Sequence, residues 1–166
     1  MNQNNIDGIL HPNPNHDGGS VEKKEQPKPI TGWVVDDDKG ICDFLMENTA
    51  DVKGLSLKPF SSSGEVLDAL KSNIPDFLIL DGNLGEESAD GCELTEQIKK
   101  MFADNKRPVV FAFTNDPDKR RLMLEKGADL SLDKTDLAQA CENLSDVEEL
   151  KNTLEKIKAK RNANKI

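Results

Sequence analysis

Long apolar runs are absent from this 166-residue chain, and this absence excludes several classes of protein. No stretch approaches the roughly 18 apolar residues that a membrane span needs. The N-terminus lacks the charged-then-apolar order of a signal peptide. We therefore expect a cytoplasmic protein that does not insert into a membrane.

Cysteine and histidine are also scarce. Cys42, Cys92 and Cys141 form an odd set at wide, unpatterned spacings, so neither a disulfide framework nor a zinc site is indicated. Both histidines, His11 and His16, lie near the N-terminus. Any chemistry in the remainder of the chain must therefore proceed without an imidazole of its own.

Basic residues are outnumbered, with 22 Lys and Arg against 31 Asp and Glu, for a net charge of -9. This sign opposes nucleic-acid binding, and the length suits one domain. Residues 1–29 are rich in Asn, Pro, Gly and charge, which predicts a disordered N-terminal tail. We expect a folded domain over residues 30–160 and a basic C-terminal tail over 161–166.

Short apolar runs alternate with helical patterns from Gly32 onward. The predicted strands are WVV (33–35), LSL (55–57), FLIL (77–80), VVFAF (109–113) and the weaker ADLSL (128–132). The pattern is strand then helix, five times, and Ser145-x-x-Glu148 predicts a capping box at the start of the last helix. Nearly continuous apolar strands predict an α/β fold: a doubly wound, parallel, five-stranded sheet with helices on both faces.

Polar residues follow four of these strands. Asp36 and Asp37 come after the first, Asp81 after the third, Thr114 after the fourth and Lys134 after the fifth. Ligands of such sheets collect at the carboxyl ends of the strands. Clustered carboxylates with an open face suit Mg²⁺, while a lysine and a threonine hydroxyl suit phosphate.

Each residue alone has a common structural explanation. An acidic triplet such as Asp36–Asp38 is usually a solvated surface run, and Asp81 and Asn83 are typical turn residues. Thr114, Asn115 or Asp116 would cap a helix, and Lys134 would be a solvated lysine. The set at the correct strand ends is what favours a functional site.

This set resembles the receiver domains of two-component response regulators, over about residues 30–160. The resemblance implies a flavodoxin-like sheet in the order 2-1-3-4-5. It also implies that Asp81 accepts a phosphoryl group from a histidine kinase or a histidine phosphotransfer protein. Asp37 and Asp81 would ligate Mg²⁺ directly, Asn83 would add its backbone carbonyl, and Asp36 would act largely through water. Thr114 and Lys134 would hold the phosphoryl oxygens.

The sequence departs from the family pattern in three places. Gly85 stands where a proline is usual, and the loop 82–90 is about two residues longer than usual. Thr135 replaces the proline that commonly follows the lysine, and an inserted segment, 135–144, comes after it. Ser131 occupies the place of the aromatic residue that commonly switches with the threonine. We therefore expect phosphorylation to be read locally, near the site.

Two other function classes compete with this interpretation. One is a haloacid dehalogenase-like phosphatase, since VVDDD contains an Asp-x-Asp after a strand, but that class leaves Asp81 unexplained. The other is a nonphosphorylated adaptor on a receiver scaffold. We expect a single-domain response regulator that is not an enzyme and that signals to a downstream protein by contact or phosphorelay, without binding nucleic acid.

Overall fold

The computed structural model describes residues 27–85 and 90–163. Most of the predicted N-terminal tail, residues 1–26, lies outside this range, as do residues 164–166 of the predicted basic tail. No helix in the described part of the chain is long and apolar enough to cross a bilayer.

Five parallel strands, numbered along the chain, form one sheet in the order 2-1-3-4-5, as the resemblance implied. The strands are β1 (Ile30–Val35), β2 (Leu55–Phe60), β3 (Phe77–Asp81), β4 (Val109–Phe113) and β5 (Leu130–Leu132). Every residue of β3 and β4 is buried, because helices cover both faces of these central strands. All five predicted strands are confirmed, although β1, β2 and β3 extend beyond the predicted runs and β5 is shorter than the predicted 128–132.

The described residues form six helices, one more than the sequence predicted. They are α1 (Lys39–Thr49), α2 (Ser63–Leu70), α3 (Gly91–Met101), α4 (Pro117–Lys126), α5 (Leu137–Ser145) and α6 (Val147–Ala163). Helices α2, α3 and α4 pack on one face of the sheet through Val66, Leu94, Ile98 and Met123. Helices α1, α5 and α6 pack on the other face through Leu45, Leu144, Leu150 and Leu154.

The additional helix, α5, lies in the segment that the sequence analysis treated as an insertion. Asp136 caps it by accepting a hydrogen bond from the Gln139 amide. Ala140, Cys141 and Leu144 are buried, and their spacing places them on one face. The inserted residues therefore contribute to the core and are not merely a surface loop.

The predicted capping box at Ser145 is wrong. Ser145 is the last residue of α5, and its hydroxyl donates to the Cys141 carbonyl. The carboxylate of Asp146 instead accepts from the Glu149 amide at the start of α6. Aspartate is as good an N-cap as serine. The cap of α6 therefore lies one residue later than predicted, because Ser145 belongs to α5.

The C-terminal helix continues to Ala163 and so includes the first residues of the predicted basic tail. The side chain of Arg161 is 8% exposed and contacts the Asp129 carboxylate through Nε and Nη2. Its guanidinium also donates to the carbonyls of Asp104, Arg107 and Pro108. Arg161 therefore connects the C-terminal end of α6 with the segment that precedes β4 through hydrogen bonds.

Candidate functional site

The carboxyl ends of β1, β3, β4 and β5 meet at one edge of the sheet. Asp36 and Asp37 directly follow β1, and Asp81 is the last residue of β3. Thr114 directly follows β4, and Lys134 lies two residues after β5. The structure thus places all the residues predicted from the strand ends at the same edge. Asp37, Asp81, Thr114 and Lys134 line one cavity of about 540 Å³ together with Asn83, whereas Asp36 lies behind it.

Lys134 joins two of the carboxylates. Its Nζ lies 2.8 Å from Oδ2 of Asp36 and 3.0 Å from Oδ2 of Asp81. Asp36 is 1% exposed and Asp81 is 4% exposed, so solvent screens these ion pairs weakly. The partly buried Lys134 ammonium between two carboxylates neutralises part of a charge cluster that would otherwise be strongly repulsive.

Burial and Lys134 act in opposite directions on these carboxyl groups. Burial raises the pKa of Asp36 and of Asp81, and the hydrogen bonds from Lys134 offset only part of that rise. Burial would lower the pKa of Lys134, but the hydrogen bonds from its ammonium to Asp36 and Asp81 reverse the effect and raise it. The site therefore favours a protonated lysine and disfavours additional negative charge unless another cation enters.

The acidic cluster fits a hard divalent cation. One carboxylate oxygen from each of Asp36, Asp37 and Asp81 lies within 4.8 Å of the others. Octahedral Mg²⁺ holds its ligands at roughly 2.0–2.1 Å, so opposite ligands are about 4 Å apart, and small side-chain adjustments reach that spacing. Asp37 is exposed and faces solvent, which leaves an open side for water or phosphate. The donors are all oxygen atoms, as Mg²⁺ prefers.

Glycine is required where the chain approaches the end of β3. A Cβ at Gly91 would lie 2.0 Å from the Asp81 carbonyl oxygen, inside the backbone. A Cβ at Gly82 would lie 3.2 Å from Oγ1 of Thr114. Only a residue without a side chain fits at position 91, where α3 begins, whereas a Cβ at position 82 would require its side-chain neighbours to shift by a few tenths of an ångström. The sequence GNLGEESADG is thus constrained most strongly at its last residue.

Thr114 is buried, and its hydroxyl accepts a hydrogen bond of 3.1 Å from the Asp116 amide. It does not cap α4, because Asp116 does so by accepting from the amides of Asp118 and Lys119. The Thr114 hydroxyl retains its proton for donation to another group. Asp38, expected to be a surface residue, is exposed and caps α1 by accepting from the Gly40 amide.

Two residues at the site were missed by the sequence analysis. Lys119 Nζ donates to the Gly82 carbonyl at 3.1 Å and to Oδ1 of Asn83 at 3.0 Å. Arg120 Nη2 donates to the Thr114 carbonyl at 2.9 Å and lies 3.6 Å from the Asp133 carboxylate. Adjacent cations in the first turn of α4 thus contact the segments after β3, β4 and β5. Cations at the N-terminus of a helix are unfavourable because of the helix dipole. This unfavourable position was the one sign in the sequence that Lys119 and Arg120 have partners outside α4.

Comparison with known families agrees with this geometry. The family described as "Response regulator receiver domain" matches residues 33–145. That match covers well over half of the chain and includes every residue of the candidate site. The chain belongs to the response regulator receiver domain family.

Curated relatives are longer proteins. The chain is 34% identical over 100 residues to the transcriptional regulatory protein CreB of Escherichia coli. These residues make up 60% of this chain and 42% of CreB. It is also 41% identical over 68 residues to the DNA-binding transcriptional regulator NtrC of Klebsiella pneumoniae. These residues make up 41% of this chain and 14% of NtrC. The chain therefore spans less than half the length of these relatives.

Solved structures show the same fold. A CheY-like receiver domain from Methanospirillum hungatei superposes with a TM-score of 0.63 at 19% identity, over 80% of this chain and 99% of that one. A response regulator described as putative from Chloroflexus aurantiacus gives 0.58 at 25% identity, over 71% of this chain and 98% of that one. Both superpositions cover nearly the full length of the other chain, so the chain shares their fold.

Proposed function

We propose that the chain is a phosphoaccepting receiver in which Asp81 takes a phosphoryl group from a phosphohistidine of a histidine kinase or histidine phosphotransfer protein. One observation carries this proposal. The Lys134 ammonium lies between Asp36 and Asp81, beside the third carboxylate of Asp37. This arrangement supplies a nucleophile, a fixed cation and a set of metal ligands within one cavity.

In the proposed reaction, an oxygen of Asp81 attacks phosphorus, the P–O bond forms and the P–N bond to the donor histidine breaks. The donor brings the imidazole, which accounts for chemistry in a folded region that has no histidine. Lys134 would move from the Asp81 carboxylate to a phosphoryl oxygen, where its charge stabilises the product. The Thr114 hydroxyl, which retains a proton, would donate to a second oxygen.

Asp37 and Asp81 would hold Mg²⁺ directly, with the backbone carbonyl of Asn83 as a further ligand and Asp36 acting largely through water. The bound ion would neutralise charge on the transferring phosphoryl group. Three carboxylates and one lysine leave the cluster with excess negative charge, so a divalent cation is favoured there. The protein would have at most weak self-dephosphorylation and no other enzymatic activity.

Signalling by contact with a downstream protein, or by passing the phosphoryl group on in a phosphorelay, is the proposed output. The relative NtrC is a DNA-binding regulator by its name, but this chain covers only 14% of it. A net charge of -9 opposes binding to the phosphate backbone of DNA. We therefore propose that the residues present here act on protein, in the cytoplasm.

The phosphatase alternative needs Asp36 as nucleophile and Asp38 as its acid partner. Instead, Oδ1 of Asp38 accepts the Gly40 amide at 2.8 Å and caps α1. Oδ1 of Asp36 accepts the Asp38 amide, and its other oxygen pairs with Lys134. These contacts favour Asp81 as the phosphoacceptor, because it shares Lys134 and has the open cavity beside it.

Acetyl phosphate labelling tests the proposal. With Mg²⁺, the intact mass of the wild-type protein should increase by one phosphoryl group, and Asp81→Asn should remove the increase. Asp68→Asn, which alters an exposed carboxylate on α2, is the matched control and should label normally. Steady turnover of a generic phosphoester, retained in Asp81→Asn, would instead support a phosphatase.

A further inference from the structure

Lys119 reaches across the mouth of the candidate site. It lies in the first turn of α4, yet its Nζ donates to the Gly82 carbonyl and to the Asn83 side chain, both in the segment after β3. The same Nζ lies 3.9 Å from the Asp90 carboxylate, which caps α3. One ammonium therefore contacts both described flanks of the loop after Asp81.

The contacts of Lys119 are specific and partly shielded. Its side chain is 29% exposed, and its Cδ packs 3.3 Å from the position that a Cβ on Gly82 would occupy. Holding a long lysine side chain in one conformation costs conformational entropy, and a cation in the first turn of a helix is unfavourable. Two charge-assisted hydrogen bonds offset these costs.

We propose that Lys119 is a positioning residue for the metal site: it fixes the Gly82–Asn83 segment so that the Asn83 backbone carbonyl is oriented for Mg²⁺. This inference rests on the proposed function, which makes that carbonyl a ligand. Lys119 contacts the Gly82 carbonyl and the side chain of Asn83. These two contacts restrict the peptide plane between Gly82 and Asn83. Groups that orient metal ligands in this manner typically change affinity by about 10- to 100-fold.

Positioning and plain charge predict opposite effects on metal affinity. If Lys119 acted only as a nearby positive charge, it would repel Mg²⁺, and its removal would tighten metal binding. If it positions the Asn83 carbonyl, its removal frees that segment and weakens metal binding. The sign of the change in Mg²⁺ affinity therefore decides between these roles.

Lys119→Met is the informative variant, because methionine keeps an unbranched stem against Gly82 while removing the ammonium. Arg121→Met removes the same charge from the same helix, at an exposed residue whose only described partner is Asp118. Mg²⁺ affinity is measured by titration calorimetry on the full chain. We expect Lys119→Met to bind Mg²⁺ about tenfold more weakly than wild type, and Arg121→Met to bind as tightly as wild type or slightly more tightly.

Asn83→Ala completes the design, since it removes the Oδ1 acceptor and retains the backbone carbonyl. If Lys119 acts through Asn83, the two substitutions together should weaken binding by less than the product of their separate effects. Saturating Mg²⁺ should restore the rate of acetyl phosphate labelling in Lys119→Met, which a misfolded site would not allow. Amide shifts of residues 82 and 83 should differ from wild type in the metal-free variant.

Equal or tighter Mg²⁺ binding by Lys119→Met would overturn the inference, as would strictly multiplicative effects with Asn83→Ala. Asp37→Asn separates this result from failure of the proposed function. If Asp37→Asn binds Mg²⁺ as wild type does, the ion binds elsewhere and the proposed metal site is wrong, whatever Lys119 does. If Asp37→Asn loses binding while Lys119→Met does not, only the positioning role fails.

Discussion

Lys134 and Asp81 form a largely buried ion pair, with 3.0 Å between Nζ and Oδ2. In the proposed function, the lysine therefore contacts the acceptor carboxylate when a donor arrives. Its positive charge also neutralises part of the carboxylate cluster, as a bound metal ion would, because the same Nζ lies 2.8 Å from Oδ2 of Asp36. Lysine and metal should therefore partly substitute for each other in stabilising the carboxylates.

Lys134→Ala tests this relationship. Without its ammonium, the three carboxylates repel each other and the metal-free protein should lose stability. Mg²⁺ should then stabilise the variant more than it stabilises wild type, because it relieves a larger repulsion. Thermal unfolding in EDTA and in excess Mg²⁺ measures both effects. An equal or smaller Mg²⁺-induced rise in Tm for Lys134→Ala would contradict this account; Lys151→Ala, at an exposed lysine of α6, is the control.

Asp81→Asn should stabilise the metal-free fold near neutral pH. The folded-state pKa of Asp81 is raised above 3.8 by burial, so ionisation of Asp81 favours the unfolded chain. Below pH 3.8 the carboxyl is neutral in both states and the advantage of asparagine should vanish. It should grow as pH rises through the folded-state pKa and then stay constant, raising Tm by on the order of a few degrees.

Denaturant unfolding of both proteins in EDTA, from acidic to neutral pH, measures this difference. Excess Mg²⁺ should reduce it, because the ion stabilises the ionised carboxylate of the wild-type protein. A stability difference that grows toward acidic pH would show that the sign is wrong.

Arg161 should be important for stability and not for phosphorylation. The side chains of Arg161 and Asp129 are each 8% exposed, and Arg107 pairs with the same carboxylate at 3.1 Å. Arg161→Ala leaves several carbonyls and part of the Asp129 charge without a partner, which should cost about 3 kcal/mol. Urea unfolding measures this loss. Lys160→Ala, at an exposed neighbour in α6, should cost little, and equal costs would refute the role of Arg161.

Phosphorylation should be read near the site and not through the outer face of β5. Ser131 is exposed on β5, so it provides no buried aromatic whose rotamer could switch. Arg120 instead links the Thr114 carbonyl with Asp133, which gives a short path between the ends of β4 and β5.

Amide chemical shifts recorded with and without beryllofluoride and Mg²⁺ test this readout. Changes should be large at residues 114–120 and 82–85, and should extend to 133–144. They should be small at 147–157. Changes across 128–132 and 147–157 as large as those at 114–118 would contradict local readout.

The sequence predicted the sheet and the strand-end residues because both follow from short-range patterns. A buried parallel strand reads as a continuous apolar run, and the polar residue after it marks its carboxyl end, as in Asp81 and Thr114. Once four strand ends were identified, the parallel topology alone brought their side chains together.

Other features depended on information that no short window contains. The start of α6 was misplaced by one residue because Ser145 and Asp146 are both good caps, and only the packing of α5 decides between them. The partners of Lys119 and Arg161 lie far away in sequence, and surface-like lysines and arginines give no sign of such contacts. The sequence did contain a signal for α5, namely a capping Asp136 followed by apolar residues at helical spacing, Ala140, Cys141 and Leu144. This signal was overlooked because the segment was interpreted as an insertion relative to the family pattern.

Chemical mapping can determine whether Asp81 carries the phosphoryl group. Borohydride reduces an aspartyl phosphate to homoserine, so protein labelled with acetyl phosphate and Mg²⁺ can be reduced, digested and sequenced by mass spectrometry. We expect homoserine at position 81 and unmodified aspartate at positions 36 and 37. Homoserine at Asp36 or Asp37, with aspartate retained at position 81 in fully labelled protein, would contradict this expectation.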